Sequence, residues 1–300
     1  MAFDLAQLRG WKDDSAEVRK QLKGMPLPFF RTSAPRLARS GAGRTVLLYK
    51  AFKEVNGDHY LDYPAQQIGD CVSQAFGHGI DMLAAVQIAI GHKPEQFRQT
   101  ATEAIYGMAR VDIGGLKGDL EDGAVGAWAA KAVTTLGTIS RDLVGPYQGE
   151  RAKEWGAWGI PHELYVQSAG HKVRTASLVS TYSELEDALS NGYPVTVCSS
   201  QGFTLERDAE GFCGPQGRWD HCMLMLGTRA DPRPGACIFQ SWGSDAPTGP
   251  LALDQPPNSF WADRKVIERM LAKGDSWSLS SFQGYPAQLL PTRWGYDGFA

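Results

Sequence analysis

The run AQQIGDCVSQAF, residues 65 to 76, sets two glutamines and a Gly-Asp pair ahead of Cys71. Cys71 directly follows Asp70, a candidate N-cap. It opens a stretch in which Val72, Phe76, Ile80, Leu83 and Ile90 recur at helical spacing. A thiol in the first turn of a helix meets unpaired backbone N–H groups and the positive end of the helix dipole, which favour a thiolate. Position alone does not make a nucleophile, because unpaired cysteines are among the most buried and inert residues. A thiolate also needs a base, normally an imidazole held by a further polar side chain.

Of the six histidines, His221 has the most telling context. In GRWDHCMLMLG it stands where a loop enters an apolar strand. The next strand-like run, ACIFQSWG, carries Gln240 just before Ser241, Trp242 and Gly243. Adjacent antiparallel strands would bring Gln240 within reach of His221, with Trp242 shielding the pair from water. The plainer reading of His221 is a core histidine satisfied by backbone groups.

The elements that must position these residues are legible in outline. DLAQLRGWKDDSAEVRKQL suggests a short amphipathic helix through Leu5, Leu8, Val18 and Leu22, interrupted by Gly10. Residues 24–44 are rich in Pro, Gly and Arg and read as an extended arm. The SGAGRT at its end lacks the first glycine, the lysine and the preceding strand of a phosphate loop. A helix is expected after Asp122, with Val125, Trp128, Ala129, Ala132, Val133 and Leu136 on one face. Another is expected in SELEDALSNG, with Ser183 and Glu186 as a capping box and Gly192 as its stop. Strand-like runs then dominate in YPVTVC, HCMLMLG and ACIFQSWG, before FWADRKVIERMLAKG restores a helix. Helices first and strands later give an α+β fold. The expected division is an N-terminal extension over 1–45 and one domain over 46–300.

In combination these fragments resemble the papain-like cysteine peptidases, in order through most of residues 58–250. HYLDYPAQQIGDCVSQAF is similar to the segment leading into that family's nucleophile helix, with Gly-Asp-Cys closest to the calpain branch. DGAVGAWAAKAVTTLGTI resembles the helix after the family's glycine-rich substrate-binding stretch, which implies Gly114 and Gly115 as substrate-binding residues. LEDALSNGYPVTV, GFCGPQGRWDHCMLMLG and IFQSWGSD parallel the Pro-Val strand, the Asp-His-Ala run and the Asn-Ser-Trp-Gly signature. The resemblance implies a two-lobed fold, a helical lobe with a central nucleophile helix beside an antiparallel β lobe.

It further implies a thiol hydrolase cleaving peptide or isopeptide bonds. Cys71 would attack the carbonyl, His221 would be acid and base, and Gln240 would stand for the orienting Asn. Gln66 or Gln67 would join the Cys71 N–H in the oxyanion hole. Trp242 and Asp220 would line the cleft. Two departures stand out. The family's glutamine usually lies six residues before the cysteine, whereas Gln66 is five before and Gln67 four. Aligning the Ala-Phe pairs instead would restore the spacing of Gln67 but put Ser73 at the nucleophile position. Gln240 also replaces Asn, and its extra methylene displaces the amide by roughly 1.5 Å, where a 1 Å misplacement can cost about 10²-fold in rate.

Other constellations are weaker. Cys198, Cys213, His221 and Cys222 fit no compact zinc knuckle, and adjacent strand residues face opposite ways, so no metal or other cofactor is expected. PHEL at 161–164 lacks the second histidine of a zinc-peptidase helix. His78 reads as a packing or capping group, and Cys198, Cys213, Cys222 and Cys237 as structural. The formal charge of −3 offers no footprint for nucleic acid. No secretion signal or membrane-length apolar run is visible, so a cytoplasmic protein with reduced thiols and no membrane partner is expected.

The rival reading is a papain-like fold kept as a catalytically weak structural or binding module, its residues 1–45 laid on an assembly partner. A loose similarity to papain-fold proteins of bacteriophages would make that assembly a virion. An inhibitory role for the arm is less expected, since it is short and lacks a long helical pattern.

Overall fold

The computed structural model describes residues 9–91 and 96–295, so Leu5 and Leu8 lie outside the described residues. The arm folds back on its own chain. Asp14 caps α1 (Ser15–Leu22), its carboxylate accepting from the amides of Ala16 and Glu17 at 3.0 and 2.9 Å. After α2 (Phe30–Ser33), the amides of Arg39 and Gly41 donate to the Asp187 carboxylate at 3.0 and 2.9 Å. Strand β1 (Val46–Leu47) then leads into α3 (Lys50–Val55).

Helix α4 (Cys71–Ala89) begins at the expected residue and is almost wholly buried. Two glycines explain how it fits. A Cβ on Gly77 would meet Thr102 at 2.5 Å, and one on Gly79 would press on Leu279 and Leu224 at 3.1 and 3.3 Å. One side of α4 therefore packs on α5 (Thr102–Gly107) and the other directly on the sheet. Helices α6 (Gly126–Thr135), α7 (Gly149–Trp158) and α8 (His162–Ser168) complete the helical part.

The sheet is antiparallel throughout. It contains β2 (Thr175–Leu178), β3 (Val195–Phe203), β4 (Pro215–Arg229), β5 (Gly235–Phe239), β6 (Ser259–Asp263) and β7 (Ser276–Ser280), in the order β2-β7-β3-β4-β5-β6 with β1 on β4. Helix α9 (Tyr182–Leu189) precedes β3, and α10 (Arg264–Leu271) joins β6 to β7. The capping box of α9 sits two residues earlier than expected. Thr181 accepts from the Glu184 amide at 3.2 Å, and Glu184 accepts from the Ser180 amide at 2.7 Å, because Tyr182 already has a helical backbone and a buried side chain. Helices on one side and an antiparallel sheet on the other give the α+β architecture expected from the sequence.

Candidate active site

Cys71 lies where α4 starts against β4. Its Sγ accepts from the Cys222 amide at 3.4 Å, so the residue after His221 touches the thiol directly. In the sheet His221 pairs with Ser199, and its ring stacks on Trp242 with centroids 4.4 Å apart and planes 26° from parallel. Trp219 closes edge-on over Trp242 at 4.6 Å. Cys71 thus meets the sheet one residue beyond His221, whose ring is stacked on Trp242.

Asp70 is not the side-chain cap expected of it. Its carboxylate turns inward, accepting from Gln74 Nε2 at 2.9 Å and the Tyr147 hydroxyl at 3.1 Å. Burial pushes it up to about 7. The first turn of α4 is thereby left without a side-chain cap, and its amides remain for an anion.

Gln240 does not reach His221. Its Oε1 accepts from the Trp242 amide, and its Nε2 donates to the carbonyls of Ala246 and, at 3.2 Å, Gly243. The longer side chain folds back to clamp its own turn, while neither His221 ring nitrogen has a hydrogen-bond partner among the described residues. The expectation that Gln240 holds the imidazole directly is therefore corrected. Gln240 acts on His221 only through the turn that carries Trp242.

The glutamines separate. Gln66 is buried, accepts from the Ser241 hydroxyl, and donates to Ile68 O at 2.9 Å, while its amide donates to Ser241 O at 2.7 Å. Gln67 is exposed, its side chain turned to the Gly149 amide at 2.8 Å. Gln66 belongs to the junction beside Trp242, and Gln67 to the start of α7.

Gly114 and Gly115 do not stand in the cleft region that the sequence assigned to them. Gly114 ends a π-helical turn, where a Cβ would meet the Trp128 ring at 2.9 Å, and Gly115 is a left-handed turn residue at φ +70°. The stretch lying along the junction is Gly123-Ala124, immediately before α6.

What runs beside Ala124 is the N-terminal segment itself. The amides of Gly10 and Trp11 donate to Asp220 O at 3.3 and 3.0 Å. The Ala124 amide donates to Gly10 O at 2.8 Å, and Lys12 donates back to Ala124 O at 3.0 Å. Residues 9–12 form a strap joined to the sheet side through Asp220 and to the helical side through Ala124. Gly10 is required by contact, since a Cβ there would fall 2.1 Å from Gly69 O, two residues before Cys71. Asp220 meets the strap through its carbonyl, while its carboxylate pairs with Arg218.

The electrostatic result is a pair of neutral groups. Burial lowers His221 to about 3, and burial raises the Cys71 thiol well above its ordinary value. The amides of Cys222 and Gly10 favour the thiolate but are outweighed. The strap was invisible in sequence apart from Gly10, which broke the helical pattern without revealing why. Ala124 and Ser241 carried no signal.

Among the described residues no group of three or more His, Cys, Asp and Glu side chains could hold a metal, and no helix is long and apolar enough to cross a membrane. No family model and no curated protein sequence matches the chain. Solved structures do. Xylellain, a cysteine protease from Xylella fastidiosa, is similar over 92% of this chain and 97% of its own at 16% identity and a TM-score of 0.62. Digestive procathepsin L 3 of Tenebrio molitor larval midgut covers 92% of this chain and 77% of its own at 15% identity and TM-score 0.54. Procathepsin B S9 from Trypanosoma congolense covers 90% and 89% at 11% identity, also with TM-score 0.54. The chain has the fold of the papain-like cysteine proteases.

Proposed function

We propose that the protein is a cysteine peptidase whose cleft is closed by its own residues 9–12. The observation carrying this reading is the junction itself. Cys71 opens α4 against the Cys222 amide, with His221 the preceding residue of the same strand, and a length of peptide backbone lies hydrogen-bonded over it. The fold shared with xylellain and the procathepsins supports the same chemistry.

With the strap displaced, water reaches the site and both charged forms become affordable. The Cys71 proton passes to His221, and the thiolate attacks the scissile carbonyl carbon. The oxyanion is held by the Cys71 amide and Gln66. Collapse breaks the C–N bond as the imidazolium protonates the leaving amine, and water then releases the acid from the thioester, with His221 as base. Trp242, stacked on the imidazole and held by the Gln240 turn, is a positioning residue. Peptide or isopeptide bonds fit this chemistry equally, and no metal or other cofactor enters it.

The full-length chain carrying Gly10→Val, which cannot seat the strap against Gly69, is the form to assay with fluorogenic peptides. We expect hydrolysis that disappears with Cys71→Ala. Equal rates with and without the thiol would end this reading. A second reading, the weak structural or binding module placed in an assembly such as a virion, is favoured by one observation, that Gln240 spends its amide on its own turn. It would be supported by a Gly10→Val chain that binds peptides and never cleaves them.

A further inference from the structure

Two thiols behind the site take no part in the chemistry derived above. Cys198 on β3 and Cys222 on β4 stand directly opposite one another in the antiparallel ladder, and both are buried, free cysteines. Their sulfurs touch, the Cys198 thiol donating to Cys222 Sγ at 2.7 Å. Opposed residues of an antiparallel pair have Cα atoms about 4.5 or 5.5 Å apart, and either spacing lies within the span that a disulfide bridges.

The place of this pair in the sheet gives it a consequence for the site. Strands β3 and β4 keep one register from Val195 opposite Met225 to Ser199 opposite His221, then shift between Ser199 and Gln201 and again before Phe203. His221 therefore stands on the last regular rung, and Cys198–Cys222 is the rung behind it. The Cys222 amide is also the group that donates to Cys71 Sγ at 3.4 Å. Neither His221 ring nitrogen has a hydrogen-bond partner among the described residues, so this backbone and the stacking on Trp242 set the place of the imidazole. The direction of the sulfur contact distinguishes the two thiols. Cys198 donates and Cys222 accepts, so the Cys198 S–H group favours a thiolate at Cys222, while burial opposes it.

We propose that Cys198 and Cys222 form a redox-sensitive clasp, a dithiol that hydrogen peroxide converts to a disulfide tying β3 to β4 immediately behind His221. Peroxide is small enough to follow water through local openings of the sheet. The Cys222 thiolate attacks one peroxide oxygen and breaks the O–O bond, giving a sulfenic acid and a hydroxide that takes up the proton Cys222 has lost. The Cys198 sulfur then attacks the Cys222 sulfur, and its proton leaves with the displaced hydroxide as water. Two thiols and one peroxide become one disulfide and two waters, the peroxide accepting the two electrons that the sulfurs give up. The bond fixes the rung behind His221 without using the side chain of Cys71 or His221, and a thiol reductant reopens it by exchange.

The test needs neither peptidase activity nor Cys71. The full-length chain with Cys71→Ala, and the same chain with Gly10→Val added, are treated with hydrogen peroxide, denatured in iodoacetamide and mapped by mass spectrometry. The expected product has lost two hydrogens, with Cys198 and Cys222 joined and Cys213 and Cys237 alkylated. It should melt higher than the reduced chain by about 5 °C or more, exchange the Cys222 amide more slowly, and return to the reduced profile with dithiothreitol. Adding Cys198→Ala should abolish the cross-link and the shift in melting together. Every thiol alkylated in both chains, a bond to Cys213 or Cys237 instead, or a joined chain that melts no higher than the reduced one would overturn the clasp. Should the Cys198→Ala chain fail to fold, the mapping and melting of the parent chains still decide. Cleavage by a Gly10→Val chain that keeps Cys71 is a separate assay, so failure of the peptidase reading leaves this result standing.

Discussion

At the residue scale the site departs most from what the chemistry of its side chains suggested. Cys71 and Trp242 stand at boundaries that sequence patterns mark, a helix start and a turn, whereas His221, expected where a loop enters a strand, lies inside β4, whose opening residues PQGRWD carry no apolar run to announce it. The role of Gln240 was not legible, because side-chain direction within a turn leaves no periodic trace. Its amide clamps the turn of Gly243 and Ala246, so Gln240→Asn, one methylene shorter, should lose those bonds. The expected result is destabilisation by about 1–3 kcal/mol in urea unfolding and a lower kcat with KM little changed, not the gain expected if an asparagine there oriented His221. Asp70 supplies a pH test. Its carboxyl is raised from 3.8 to about 7 by burial, so the folded state keeps a proton that the unfolded chain has lost. The stability it contributes is complete below the unfolded value and is lost as pH rises through about 7. Asp70→Asn should flatten that fall in unfolding free energy across the window. An unchanged slope would assign the window to other groups, such as Asp81, raised to about 6 by the same cause.

At the element scale, α4, α6 and the strands were readable because long periodic or apolar runs dominate their sequences. The strap was unreadable because four extended residues have no periodicity, and the backbone groups that pair with them lie more than a hundred residues away, at Ala124 and Asp220. Its docking depends on backbone contact, with Gly10 against Gly69. Gly10→Val should therefore undock the strap while leaving α1, which is held separately by Asp14 and by the 2.9 Å bond from Trp128 to Glu17. The expected outcomes are amide exchange that becomes fast at residues 10–12 and 124 but stays slow in α6. Peptide turnover should rise on the order of 10-fold or more as the competent fraction grows. Protection unchanged at residue 124 would mean that the strap adapts.

Across the whole molecule, the arm read from sequence as an extension is a belt. It runs from the cleft over α6, past Leu178 and along α9 before entering the sheet. Its composition of Pro, Gly and Arg suggested an extended chain, whereas the segment makes short helical turns at Phe30–Ser33 and Pro35–Leu37, and no local pattern states which surface they cover. Trp11 is buried between the helical and sheet parts, and removing such a side chain from a core costs about 3–5 kcal/mol. The strap can undock locally, so Trp11→Ala should lower global stability by less than this and appear chiefly as an open cleft. The two states differ in the environment of one sulfur. With the strap seated, burial holds Cys71 as a thiol and His221 as a neutral ring.

The rate at which iodoacetamide alkylates Cys71, followed by mass spectrometry across pH, reads that environment directly. For the unaltered chain, negligible alkylation is expected until the pH exceeds the ordinary thiol range of about 8.5. For Gly10→Val, fast alkylation is expected already near neutrality and should be lost when His221→Ala is added. Profiles that coincide for the two chains, with Cys71 no more reactive than a free thiol in either, would contradict the account.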